Sequence, residues 1–218
     1  MNNTHPEVLI REASVTDLEA IVTLERATEN APHWPLSTYA AILTPPTAVA
    51  ARAEPNPTPL RCLFLAESLA SANSNAPTAQ HPLLEHFHCY CVLTGSLRVP
   101  FFLGKNGVET RGLVNMHSEN ALGFAVALMP PSPEHIAEIE SVAVSHTARR
   151  RGIGRALCLA ALDWCRACNA TSVQLEVRAS SAAAIALYTS LGFLRVGHRP
   201  HYYANPEDDA LILGLTFP

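Results

Sequence analysis

The chain carries no proline between Pro133 and Pro200, whereas nine of its seventeen prolines fall between Pro32 and Pro82. Proline lacks a backbone donor and interrupts helices and paired strands, so regular structure is expected to concentrate in the proline-free stretch. There the apolar pattern predicts a strand "IAEIESVAV" (136–144), a helix over about 152–168 and a strand "SVQLEVR" (172–178). A helix "SAAAIALYTSL" (181–191) and the strands "FLRVGHR" (193–199) and "DALILGLTF" (209–217) follow. Upstream, "VLIREAS" (8–14) reads as a strand entering a capping box formed by Ser14 and Asp17. A helix ending near Asn30, a short helix over 36–43, and strands over 61–68 and 121–129 complete the series. Residues 44–60 are a proline-rich loop and 69–82 a turn-rich, low-complexity segment. Residues 86–94 and 97–104 read as an added strand pair, followed by a loop over 105–120. Strands and helices alternating toward the C-terminus predict an α/β or α+β fold, a sheet covered by helices.

The 218 residues suit one domain, and an apolar share of 48% is ample for its core. With 15 Lys and Arg against 19 Asp and Glu, no direct nucleic-acid partner is expected, and any basic feature must be local. No apolar run approaches the ~18 residues of a membrane span. The start "MNNTHPE" has neither the charge nor the apolar stretch of a signal peptide, so no membrane partner and a cytoplasmic location are expected. No metal site is expected either. In "HFHCYC" (86–91), strand alternation sends His86 and His88 one way and Cys89 and Cys91 the other. Cys165 and Cys168 have no second CxxC pair to complete four ligands.

The cations concentrate in "HTARRRGIGRAL" (146–157). Ile153, Leu157, Ala160, Trp164 and Cys168 form an apolar stripe that sets the helix start near residues 151–153. A helix start offers unpaired N–H groups and a partial positive charge, glycines let an anion approach the backbone, and arginines add charge. The order strand, Arg-x-x-Gly-x-Gly, helix, strand, helix resembles the GNAT superfamily of acyl-CoA-dependent N-acetyltransferases, with Arg149 to Gly154 as the pyrophosphate loop. "RRRGIGRAL", "LEVRASSAAAIALYTSLGF" and "HYYANPEDDALIL" are similar to the ribosomal-protein-alanine N-acetyltransferase, or RimI-like, branch, as are "IREASVTDLEAIVTLERAT" and "PHWPLSTY". The resemblance covers about 136–217 and 8–43 and fails between about 69 and 120. It implies a GNAT-like, mixed, mostly antiparallel central sheet covered by helices, in a single domain over 1–218. It also implies that 69–120 is a long insertion before the third core strand.

Acetyl transfer to an amine needs a group to take the amine's proton, because an α-amine with a pKa of ~8 is mostly cationic at neutral pH. In "SVQLEVR", Val173, Leu175 and Val177 point one way and Gln174, Glu176 and Arg178 the other. A carboxylate in a strand flanked by two covering helices has few solvent outlets, so burial would raise the pKa of Glu176 toward base work. The same pattern suits a structural ion pair or a strand face open to water. The resemblance implies that Glu176 is the proton acceptor and Tyr188, otherwise a core aromatic, the proton donor. Glu138 and Glu140 share a face of their strand, and related acetyltransferases can draw a base from it. They are reserve bases, or carboxylates on the substrate side. The resemblance further implies that acetyl-CoA, as co-substrate, binds the backbone of Val142, Ala143 and Val144 and the loop Arg149, Arg150, Arg151, Gly152, Ile153, Gly154 and Arg155. Ser181 stands where the family usually has Asn, leaving a shorter side chain for that CoA contact.

"RPHYYANPEDDA" matches a loop that in RimI-like enzymes closes over a peptide's first residues, so Tyr202 and Tyr203 would flank the acceptor. Alternatively they pack the final hairpin. The implied acceptor is a protein or peptide N-terminus, a ribosomal protein foremost. A GNAT enzyme acting on a small-molecule amine or lysine, or a CoA-binding regulatory or scaffold protein, is the alternative.

Overall fold

The structure, a computed structural model, describes residues 8–29, 31–44, 59–68 and 121–218, and the backbone of 91–93. In chain order the elements are β1 (Val8–Glu12), α1 (Leu18–Arg26), α2 (Leu36–Leu43), β2 (Leu60–Ser68) and β3 (Cys91–Leu93). Then come β4 (Ala121–Met129), β5 (Ile136–Val144), α3 (Ile153–Ala167), β6 (Ser172–Arg178), α4 (Ala182–Ser190), β7 (Leu194–Ala204) and β8 (Glu207–Thr216). The strands form one eight-stranded sheet in the order β3-β1-β2-β4-β5-β6-β8-β7. Every pairing is antiparallel except β5 with β6.

Two layers of helix bury the two faces unequally. The stripe on α3 packs against Phe64, Ala125, Leu175 and Leu213, with Tyr188 and Phe193 of the α4 region joining this larger core. Ile153, Leu157 and Ala160 are fully enclosed, while Trp164 and Cys168 close its rim. On the other face Ile21 and Leu24 of α1 and Tyr39 and Ile42 of α2 bury Leu63, Leu65, Phe124 and Val126. That second core reaches β5 through Ala143 and stops there. The capping box at Ser14 forms, and its Asp17 also takes a two-pronged pair from Arg11 at 2.8 Å, with Glu67 on the same guanidinium.

Two expectations shift. Helix α1 ends at Arg26, short of Asn30. Strand β7 runs through Pro200 to Ala204, so Tyr202 and Tyr203 sit on a strand, and the expected loop shrinks to a turn at Asn205–Pro206. Proline ends a central strand but is tolerated at a sheet edge, where its missing N–H faces outward, and β7 is such an edge. Most of 69–120 lies outside the described residues, including the second member of the expected strand pair and the side chains of His86, His88, Cys89 and Cys91. Its described piece, β3, pairs with β1 at the far edge. Of the described cysteines, Cys62, Cys158 and Cys165 are buried free thiols and Cys168 is half-buried. Burial pushes Cys158 and Cys165 up to about 12 and so keeps both protonated. No group of three or more metal-binding side chains occurs among the described residues.

Candidate active site

The parallel pair β5–β6 holds only three residue pairs, Ile136 with Ser172, Ala137 with Val173 and Glu138 with Gln174. Beyond Glu138 the two strands part. The β6-side backbone of β5 from Ile139 to Val144 has no strand partner, although β4 pairs with its other side. The gap is lined by a cleft of about 840 Å³. A continuous sheet would keep residues on its two faces apart. Here Glu176, from the face opposite Val177, and Tyr188, from α4 in the larger core, line the same cleft.

Glu176 is more open than covering helices would leave it. Both α3 and α4 pack on the far face, and α1 and α2 stop at β5, so the carboxylate is 28% exposed and pairs with Arg199 at 2.8 Å. The expectation of a Glu176 buried between two helices is corrected on that ground. The same carboxylate, together with burial, raises the Tyr202 hydroxyl above its usual range. Arg199 also lies over the Tyr202 ring, 5.4 Å from its centroid. Tyr203 packs edge-on against Tyr202 and under the guanidinium of Arg178, 4.1 Å from its ring centroid. Arg178 donates to the carbonyls of Pro206 (2.9 Å) and Asn205 (3.1 Å), and Ser180 donates to Asp208 (2.6 Å). Together these bonds pin the β7–β8 turn to the end of β6. Tyr203 therefore packs the hairpin as well as lining the cleft, and Tyr202 lines the cleft beside the Glu176 carboxylate.

The two carboxylates of β5 differ. Glu140 sits at the register shift opposite Val126/Ala127 and forms a two-pronged pair with Arg61, at 2.8 and 3.0 Å. Glu138 makes no ion pair among the described residues. Its carboxyl is raised above the usual range by burial first, then by Glu140 and Glu176. Opposite, the α1–α2 connection supplies Glu29, His33 and Trp34 as the cleft's other wall. His33 is held there by the fully buried Glu25, 3.4 Å from its Nδ1, with φ of 51°. Sequence reasoning missed Arg199, Glu29 and His33. No local pattern marks Arg199 in particular, since it meets Glu176 only through β8, which lies between their strands.

At the other end the loop 149–152 leads into α3. Arg150 (φ 63°) and Gly152 (φ 78°) both take the left-handed conformation. Gly152 is the N-cap without a side-chain bond to the first turn, and a Cβ built on it meets nothing within 4 Å. The Arg151 guanidinium has a buried Nη2 with no hydrogen-bond partner among the described residues. A Cβ at Gly154 would lie 3.3 Å from Leu187 and 3.7 Å from Val144, so this glycine brings the α3 start against α4 and the end of β5. Arg149 donates to the Val144 carbonyl at 3.3 Å, and Ser181, the N-cap of α4, lines the cleft with no side-chain cap bond. An open helix start, an orphaned guanidinium nitrogen and an unpaired strand edge fit a pyrophosphate followed by an extended amide-bearing arm, the chemistry of coenzyme A.

Residues 81–193, more than half of the chain, match the model of the acetyltransferase (GNAT) family. The chain belongs to this family. Over 116 residues it is 43% identical to the ribosomal protein bS18-alanine N-acetyltransferase of Salmonella typhimurium, an alignment covering 52% of this chain and 76% of that enzyme. The chain spans about half the length of most curated relatives it matches, with extremes of 26% and 76%. The crystal structure of the ribosomal-protein-S18-alanine N-acetyltransferase from Escherichia coli shares the GNAT fold, with a TM-score of 0.57 at 22% identity over 96% of this chain and 93% of that one. The NatC complex bound to Gag peptide and CoA shares it with a TM-score of 0.60 at 18% identity, over 97% and 99%. The mixed, mostly antiparallel GNAT sheet expected from the sequence is the one observed.

Proposed function

We propose that this GNAT acetyltransferase transfers the acetyl group of acetyl-CoA directly to the N-terminal α-amine of a cytoplasmic protein, of the ribosomal-protein-alanine type. The observation that carries this reading is the meeting of Glu176 and Tyr188 in one cleft along β5, whose free edge runs on to Val144 and there meets the arginine and glycine loop. None of the described cysteines lines the cleft, which favours direct transfer over a thioester on the protein. Glu176 Oε1 faces Arg199, so an entering ammonium group competes with that guanidinium for the carboxylate and gives up its proton there. Tyr188 is raised well above the usual phenol range, by burial first and then by Cys158 and Tyr203. Its hydroxyl keeps its proton and donates to the sulfur of the departing CoA. The N–H groups of the α3 start, with Arg151 and Arg155, would hold the pyrophosphate, and the free edge of Val142 to Val144 the pantetheine arm. CoA supplies the activated acetyl group as substrate.

An α-amine is favoured over lysine because its pKa near 8, against ~10.4, leaves about 3 kcal/mol less work for one carboxylate. The Salmonella relative's name gives the alanine-led ribosomal protein as the first acceptor to try. Glu29 and the unpaired Glu138 would draw a basic residue following the amine. The test is acetylation of a library of N-terminal peptides with mass readout, beside polyamines and N-terminally blocked lysine peptides. Transfer to free N-termini led by small residues is expected. Transfer to spermidine or internal lysine alone would overturn the reading.

A further inference from the structure

Of the six exposed large apolar side chains among the described residues, three lie on β7: Leu194 (70% exposed), Val196 (59%) and Tyr202. Their placement relative to the cleft is what matters. Gln174 on β6 pairs with Gly214 on β8, which pairs with Leu194 on β7, so the three share one face in one row across the sheet. Glu176, Ile212 and Gly197 form the next row. A Cβ on Gly214 would meet Val196 at 3.1 Å, and one on Gly197 would meet Ile212 at 3.0 Å, so these apolar groups occupy the Glu176 face. Ile212 also lines the cleft. An apolar strip thus starts inside the cleft and runs outward over Ile212, Val196 and Leu194, on the face where the second helical layer has ended at β5.

We propose that this strip is a second acceptor subsite, binding an apolar side chain of the acceptor polypeptide a few residues beyond the acetylated amine. The proposal rests on the N-terminal acetylation reading and deepens it. Strands lie ~4.8 Å apart, so Leu194 is about 10 Å across the sheet from Gln174, and an extended peptide covers that in about three residues. The contact therefore falls at about the fourth residue of the acceptor. The outer edge of β7 is a poor template for strand addition by a second copy of the chain. Its register shifts at Arg195/Gly197 and again at Arg199/Tyr203, and Pro200 removes a donor between them. What β7 presents is its face, and that face is continuous with the cleft through Ile212.

The test uses the full chain saturated with CoA, without the acetyl group, and two C-terminally labelled peptides with free N-termini. One carries leucine at its fourth and fifth residues and the other serine, the remainder being identical. Anisotropy should show the leucine peptide binding about tenfold tighter, the worth of one partly buried aliphatic side chain. The double variant Leu194→Ser, Val196→Ser should bind both peptides as the parent binds the serine peptide, with unchanged melting temperature and unchanged acetylation of an Ala-led tripeptide. Equal affinities in the parent would overturn the subsite, as would retained discrimination in the variant. A halved sedimentation mass in the variant would assign the strip to a self-interface, and a lowered melting temperature to a segment of the chain's own. Leucine-selective binding without acetyl transfer to either peptide would leave the subsite standing and sink the N-terminal acetylation reading.

Discussion

The cleft and the arginine loop beyond it, at the end of β5, are built by different means. The loop end is contiguous: Arg149 to Arg155 are neighbours in sequence, and what they offer is mostly backbone, set by two left-handed residues and a helix start. The cleft around Glu176 is dispersed. Arg61 meets Glu140 across 79 positions, Arg199 reaches Glu176 past β8, and His33 arrives on the connection between two helices. A backbone cradle tolerates side-chain drift but not a change of φ, whereas a side-chain constellation tolerates the reverse. Substitutions should therefore separate binding from turnover according to the end they touch.

The largest effect is expected from Glu176→Gln, which keeps shape and removes the proposed proton acceptor. Turnover should fall about 10²- to 10⁴-fold with CoA affinity unchanged, and raising the pH should restore part of it by deprotonating the amine in solution. Tyr188→Phe should follow, with kcat lowered about 10²-fold and a melting temperature close to the parent's, because only a hydroxyl is lost. Stopped turnover with unaltered CoA titrations would sharpen the contrast between the ends, and equal losses in both measurements would break it.

At the loop end, Gly152→Val should raise the Kd for CoA by roughly tenfold or more, while kcat at saturation changes little. This site is a cleaner probe than Gly154, since a side chain at Gly154 would press on Leu187 and disturb the fit of α3 against α4. Calorimetric titration with CoA checks it, and an unchanged Kd in a folded Gly152→Val protein would remove the loop from the binding site. Replacing 69–120 by an Asn-Gly turn should leave CoA affinity within about twofold of the parent. Glu67 and Ala121 are register partners at the ends of β2 and β4, so Ser68 with the inserted Asn-Gly can join them as a three-residue hairpin loop, and β3 lies four strands from β5.

The smallest effect concerns Glu138. Its raised carboxyl means that the folded protein holds the proton more tightly than the unfolded chain. Its ionisation therefore costs stability as pH rises through the folded pKa and costs nothing below the unfolded value. Glu138→Gln should raise the melting temperature by no more than about 2 °C at pH 7 and leave it unaltered near pH 3. In the parent, any preference for a basic residue after the amine should fade as pH falls, at a higher pH than for an ordinary glutamate.

What could be read from the sequence follows the same division. Alternation in "SVQLEVR" assigned Glu176 to its face, and the strip on α3 fixed the start of that helix, because both are periodicities within one element. Whether the Glu176 face would be covered depends on where α1 and α2 stop across the sheet, which no local pattern encodes. Proline at 200 read as a terminator because edge and centre strands look alike in sequence, and only the sheet order shows that β7 has nothing beyond it. Arg199 was invisible as a partner of Glu176 for the same reason.

Three residue pairs are all that join β5 to β6, and beyond them the sheet has a slit. A pit has one mouth, through which whatever enters last must leave first. A slit has two. With the arginine loop on the side of α3 and α4, and Glu176, Tyr202 and His33 on the other, nucleotide and polypeptide would meet in the middle without passing each other. Each spent reactant could then withdraw by its own door, so that neither product blocks the other's exit.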